Sequence, residues 1–226
     1  KADALGPDNK MIFATGPLTG TMASTGGRWS VITKGALTNA IAASNSGGYF
    51  GGELKLSGWD MVIFEGKAPH PVYLMIHDED VQILDARDFI WGETVWETEE
   101  LIKKRHQDPM IRIASIGKAG ESLVRYACVM NDKDRAAGRS GVGAVMGSKN
   151  LKAVAVRGTR GVGVHDPDRF MKVVGEMRQK LDAHAARKRL GAVGTHAMMD
   201  NTNAYGSLPT RNSRDVQFEG NPKVNV

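Results

Sequence analysis

Short apolar runs closed by a glycine or a charge recur along the chain, and they predict a β-rich fold with few long helices. Met11-Ile12-Phe13-Ala14-Thr15 ends at Gly16-Pro17, and Trp29-Ser30-Val31-Ile32-Thr33 follows the turn Thr25-Gly26-Gly27-Arg28. The second of these is a strand by its β-branched content. The runs 59–64, 110–116, 123–130 and 153–156 read as further strands. Residues 71–77 and 80–84 flank Asp78-Glu79, the pattern of a β-hairpin. Helical spacing is confined to two long stretches. In 94–105, Val95, Leu101 and Ile102 form an apolar stripe, with glutamates near the start where the helix dipole favours them. In 167–189, Phe170, Val173, Val174, Met177 and Leu181 share one side. A short helix fits between Gly47 and Leu56. Beyond Gly191 the pattern fades, and 205–210 reads as an extended connection.

Two glycine-rich stretches interrupt this pattern in similar ways. Ser44-Asn45-Ser46-Gly47-Gly48-Tyr49-Phe50-Gly51-Gly52 precedes the strand Met61–Phe64, and Arg135-Ala136-Ala137-Gly138-Arg139-Ser140-Gly141-Val142-Gly143-Ala144-Val145-Met146-Gly147 precedes Ala153–Val156. Each strand is followed by a charged residue and a glycine, Glu65-Gly66 and Arg157-Gly158. Placing Gly66 on Gly158, with a short gap, brings Ser46-Gly47 onto Ser140-Gly141. Two repeats, roughly 11–66 and 110–158, are the expectation.

Composition narrows the function classes. The chain has 226 residues, enough for one generous domain or two small ones with a sizeable core. Its 27 glycines exceed the average of roughly 7% and cluster in the loops above, which suggests site-building. The net charge is +5, but the basic residues are scattered among acids, and Arg187-Lys188-Arg189 suits a solvated helix face. No aromatic residues interleave with arginines, which argues against nucleic acid. No apolar run is long enough to span a membrane and no leader-like segment opens the chain, so a cytoplasmic setting is expected. Cys128 stands alone and reads as a buried structural thiol in its strand.

Glycine backbone amides can ring an anion, and arginine adds a planar fork of donors that keeps its charge. Arg28, Arg135 and Arg139 are therefore candidates for phosphate or heteroaromatic recognition, set against ordinary surface ion pairs. Asn45 offers a side-chain amide or a turn carbonyl, and could equally cap a turn. Gly141-Val142-Gly143 lacks the strand-to-long-helix setting of a dinucleotide loop, and Gly147-Ser148-Lys149 is the wrong order for a P-loop. The histidines show no metal-ligand spacing. The residues describe a binding platform without a catalytic base.

Several longer runs carry a family resemblance: 14–21 with Thr25-Gly26-Gly27-Arg28, 45–51, Ile116-Gly117 with Ala119-Gly120-Glu121, 131–139, and the nearly unbroken 143–153. Here the chain resembles the amino-terminal domain of the tungsten-dependent aldehyde ferredoxin oxidoreductases. The resemblance implies an α+β fold of two intertwined, similar β-rich repeats forming a saddle for a tungsten bis-pterin (molybdopterin) cofactor. Residues 1–160 would form the main part of that domain, and 161–226 an amphipathic helix and connection toward further domains. It implies cofactor contacts from Arg28, Asn45, Ser46 and Gly47 in one repeat and Arg135, Ala136, Gly138 and Arg139 in the other. A bridging Mg²⁺ would take main-chain oxygens of Asn45 and Ala136, in keeping with its preference for hard oxygen ligands.

By the same resemblance, no catalytic residue and no ligand of the family's [4Fe–4S] cluster lies within the chain, whose two ends read as internal to a longer polypeptide. The chain alone would then be incomplete and inactive. The implied activity is interconversion of an aldehyde and a carboxylic acid, with electrons passed through the cluster to a carrier. Expected partners are the remaining domains, a ferredoxin or iron–sulfur subunit, and a homo- or hetero-oligomer. Two alternatives stand: the same cofactor acting on an aromatic acyl thioester or another acid, and a non-catalytic pterin- or phosphate-binding scaffold.

Overall fold

The computed structural model describes residues 2–225 and divides into two compact units, 1–165 and 166–226. The first unit holds two sheets. In sheet A, β1 (Met11–Thr15), β2 (Trp29–Lys34) and β3 (Ile41–Ser46) form an antiparallel meander. Helix α1 (Phe50–Leu56) then leads to β4 (Met61–Phe64), which pairs on the other side of β1, giving the order β3-β2-β1-β4. The hairpin β5 (Val72–His77) and β6 (Asp80–Asp85) and helix α2 (Val95–Arg105) follow.

Sheet B repeats the connection of sheet A. Strands β7 (Arg112–Ser115), β8 (Val129–Asn131) and β9 (Arg135–Ala137) form a second meander, with the short helix α3 (Lys118–Glu121) inside its first connection. Helix α4 (Val142–Ser148) then leads to β10 (Leu151–Arg157), beside β7. The hairpin is added through a parallel pairing of β5 with β10, so the six-stranded order is β6-β5-β10-β7-β8-β9. The ends of β3 and β9 equate Ser46 with Ala137, Asn45 with Ala136 and Gly47 with Gly138. This differs by three residues from the sequence self-match, which set Ser46-Gly47 at the end of β3 against Ser140-Gly141 immediately before α4.

The two sheets share one core. Phe13, Trp29, Phe50 and Leu54 join Leu74, Ile76, Val129, Val145, Val154 and Val156 in a single cluster. Helix α1 touches β1 of its own sheet and β7 and β10 of the other, while α4 touches β10 and also β2. Burial alternates along β2, as expected for a strand with one covered face, whereas β10 is buried almost throughout. The reason is a second cluster behind sheet B, where Tyr73, Ile90, Ile102, Ile111 and Ile113 pack with α2.

Most expected elements form as read, and the local chemistry explains them. Thr94 caps α2 in a full capping box with Glu97. Asp78, with φ 53°, and Glu79 make the two-residue hairpin turn. Three readings need correction. Residues 44–46, expected within the glycine-rich loop, belong to the strand β3, whose small residues alternate between covered and exposed faces opposite β2. Residues 123–127 form turns, with Leu123 at φ 57°, so the expected strand shrinks to Val129–Asn131 and the half-buried Cys128 precedes it. In the second unit α5 (Pro167–Ala183) stops before Arg189, because His184 takes an extended backbone; α6 (Ala185–Val193) and α7 (Met199–Ala204) follow. There Asp200 Oδ1 accepts hydrogen bonds from Asn221 at 2.7 Å and Asn225 at 2.8 Å.

One partly buried pair should make the stability of the fold depend on pH. The Tyr73 hydroxyl lies 3.0 Å from His106 Nε2, and burial, aided by the neighbouring Arg105 charge, holds the imidazole below its ordinary value of 6.5. Its folded pKa is thus below its unfolded one, so the associated stability is present above 6.5 and is lost as pH falls through the folded pKa. Unfolding midpoints taken from pH 7.5 down to 5 should fall less steeply in His106→Gln than in the unmodified protein. Equal slopes would show that His106 does not carry the effect.

Candidate functional site

The two meanders end in edge strands, β3 and β9, and these edges meet. An edge strand leaves half its backbone donors and acceptors without ladder partners, so a seam between two edges is rich in backbone polar groups. Ser44 and Ser46 point into the protein, and Asn45 between them is exposed. Ser30, opposite Asn45 on β2, donates its hydroxyl hydrogen to Asn45 Oδ1 at 2.6 Å and fixes the carboxamide. Across the seam, Arg139 N–H donates to Ser44 Oγ at 2.9 Å, and Leu37 N–H donates to the Ser140 carbonyl at 3.2 Å.

Below the glycines lies a polar cluster that no local sequence pattern announced. Ser46 Oγ donates to Asn131 Oδ1 at 2.6 Å, and Asn131 Nδ2 donates to the Gly47 carbonyl at 2.9 Å and to Asp132 Oδ2 at 2.7 Å. Asp132 Oδ2 also accepts the Tyr49 and Phe50 N–H groups, at 2.7 and 3.2 Å. A carboxylate from the end of β8 therefore caps α1, which has no cap of its own. Arg112 lies 3.8 Å from Asp132 Oδ1 and stacks over the Tyr49 ring at 4.7 Å.

Every candidate from the sequence lies at or beside this seam. Gly48 is the meeting point: a side chain there would come within 2.8 Å of Asn131 Nδ2 and 3.1 Å of Arg135 Cγ, and its carbonyl faces Gly27, the neighbour of Arg28. Arg28, Asn45, Arg135, Ala136, Gly138 and Arg139 are exposed, whereas Ser46 is buried. Arg28, Arg135 and Arg139 form no ion pair with a carboxylate among the described residues, while Arg112 and Arg157 are paired. The glycines divide into two kinds. A methyl group on Gly47 would meet no protein atom within 4 Å, and one on Gly138 would meet only Cβ atoms at 3.8 and 4.0 Å. By contrast, Gly143 and Gly147 are buried in α4, where added methyls would overlap the backbone at Cys128 and Gly120. The second half of that glycine-rich stretch thus serves helix packing, and only its first half belongs to the seam.

Among the described residues, no group of three or more His, Cys, Asp or Glu side chains is placed to hold a metal, and no helix is long and apolar enough to cross a membrane.

Two sheets that meet at their edge strands β3 and β9 make a mixed α/β unit with a glycine-lined seam. Residues 1–158 match the family "Aldehyde ferredoxin oxidoreductase, N-terminal domain", and the chain belongs to that family. It is 56% identical over 220 residues to the tungsten-containing aldehyde ferredoxin oxidoreductase of Pyrococcus abyssi, covering 97% of this chain and 36% of that protein. It is 34% identical over 241 residues to the aliphatic sulfonate oxidoreductase, WOR-like subunit, of Pyrococcus furiosus, covering 100% of this chain and 37% of the relative. Among solved structures, the active site complex BamBC of benzoyl coenzyme A reductase, in complex with 1,5-dienoyl-CoA, matches with a TM-score of 0.78 and 41% identity. That match covers 80% of this chain and 27% of the other. The chain thus spans little more than a third of the length of these curated relatives.

Proposed function

We propose that this domain holds a tungsten bis-pterin cofactor in an oxidoreductase that interconverts an aldehyde and a carboxylic acid. The observation that carries the reading is the pair of open glycines, Gly47 and Gly138, at equivalent ends of β3 and β9. The protein's own packing does not require glycine at either place, so the space beside the backbone suits a ligand that approaches it closely. Arg28, Arg135 and Arg139 would supply charge for the cofactor's phosphates, and Asn45 and Ala136, at matching positions on the two edges, would supply main-chain oxygens for a Mg²⁺. When bound, the cofactor supplies the two-electron chemistry. This chain's residues bind its phosphates, orient it on the saddle formed by the seam, and leave the reacting side to other domains. A [4Fe–4S] cluster, a ferredoxin-type partner and a cytoplasmic location complete the reading.

Arg28→Ala and Arg135→Ala should each lower tungsten per purified polypeptide by about tenfold, the scale of one lost charge-assisted hydrogen bond. Metal analysis of the holoprotein tests this, and full tungsten in both variants would refute the assignment. The similarity to a benzoyl coenzyme A reductase complex supports a second reading, in which the same cofactor domain serves an enzyme of aromatic acyl thioesters. Assay of the holoprotein with an aldehyde and with an aromatic acyl-CoA separates the two.

A further inference from the structure

We propose that Asn131 and Asp132 are positioning residues that clasp the two halves of the seam at a fixed spacing, and so set the distance between the two phosphate-binding edges. The role rests on the cofactor reading above, but the clasp itself rests on geometry. Asn131 leaves the end of β8 in one repeat and reaches the last residue of β3 and the first glycine after it in the other. It is 1% exposed, and Ser46 is 2% exposed, so neither side chain is available to a ligand directly. Asp132 continues the link by holding the first two N–H groups of the Tyr49-Phe50 turn. Gly47, whose open face is a proposed contact, thus has its carbonyl tied to the other repeat. Arg135, on the opposite edge, begins only three residues beyond Asp132. A shift at Asn131 is transmitted to both edges.

The chemistry demands an amide at 131. Its oxygen accepts from Ser46, and its nitrogen donates to a carbonyl and to a carboxylate. A carboxylate of the same shape would set oxygen against Gly47 O and against Asp132, repelling both. Asn131→Asp is therefore an isosteric break of the clasp.

The experiment compares the unmodified holoprotein with Asn131→Asp, Ser46→Ala and Ile102→Ala, reading tungsten per folded polypeptide and amide hydrogen exchange. Ile102 lies in the cluster behind sheet B, away from the seam, and controls for general destabilisation. Asn131→Asp should lower tungsten about tenfold and accelerate exchange together in 45–50 and 135–140. Ser46→Ala, which deletes one hydroxyl and should fold, should move both readouts the same way by about threefold. Ile102→Ala should lower the melting temperature while keeping its tungsten. Retained tungsten in Ser46→Ala and Asn131→Asp, faster exchange in one segment alone, or equal tungsten loss in Ile102→Ala would each overturn the proposal. If the unmodified protein also lacks tungsten, the cofactor reading fails, and the exchange result alone decides whether the clasp exists.

Discussion

Gly48→Ala is expected to destabilise the domain by about 2–5 kcal/mol, whereas Gly47→Ala, one residue earlier, should change stability by less than about 0.5 kcal/mol. The two glycines look alike in sequence and differ in surroundings. Gly48 has φ +84°, where a side chain costs about 1–2 kcal/mol. Its added methyl would also collide with Asp132 Oδ2 and come within 2.8 Å of Asn131 Nδ2. Displacing packed neighbours adds about 1–3 kcal/mol. Gly47 has neither problem, because nothing lies within 4 Å of its missing side chain. If the cofactor uses that space, Gly47→Ala should lose tungsten while keeping its unfolding midpoint. Denaturant midpoints and metal content, measured on both variants, separate the two roles. A stable Gly48→Ala would contradict the packing described at the seam.

The second large effect lies at a buried lysine. Lys152, in β10, is 0% exposed; it donates to the Glu93 carbonyl at 2.8 Å and pairs with Glu121, whose side chain is 8% exposed. Burial pushes the ammonium below the ordinary lysine value, and Glu121 opposes that push. Glu121 in turn accepts from the Gly92 N–H at 3.0 Å, so the pair ties β10, α3 and the turn before α2 together. Removing one partner of a buried pair strands the other and costs about 3–5 kcal/mol, whereas removing both charges is far milder. Lys152→Met should therefore destabilise strongly, and adding Glu121→Gln, which keeps an acceptor for Gly92, should recover much of the loss. Additive losses across this cycle would show that the two residues are not coupled.

How much of this was legible in the sequence depended on which residues carried the signal. β1, β2 and the hairpin announced themselves through large or β-branched side chains and a two-residue turn. β3 did not, because Ala42-Ala43-Ser44-Asn45-Ser46 has little strand character of its own and is a strand only by pairing with β2. β9 failed for the same reason, whereas β8 was read too long because the apolar run 123–127 folds into turns. At the seam, glycines and arginines were readable because their chemistry is local. Asn131-Asp132 appeared only as part of a longer matching run, and its place against Gly47 exists only once both sheets are assembled. The glycine pattern also could not separate seam from packing: Gly138 and Gly147 differ in what stands opposite them, which no spacing records.

The hydrogen bonds across the seam join residues 82 to 103 positions apart in the chain. Contacts so distant close late, because the entropy of the intervening loop must first be lost. A nascent or partly unfolded chain can form either meander and still present no binding site. If the seam holds the proposed cofactor, its acquisition would report the completed tertiary structure, and an incompletely folded polypeptide would not be loaded.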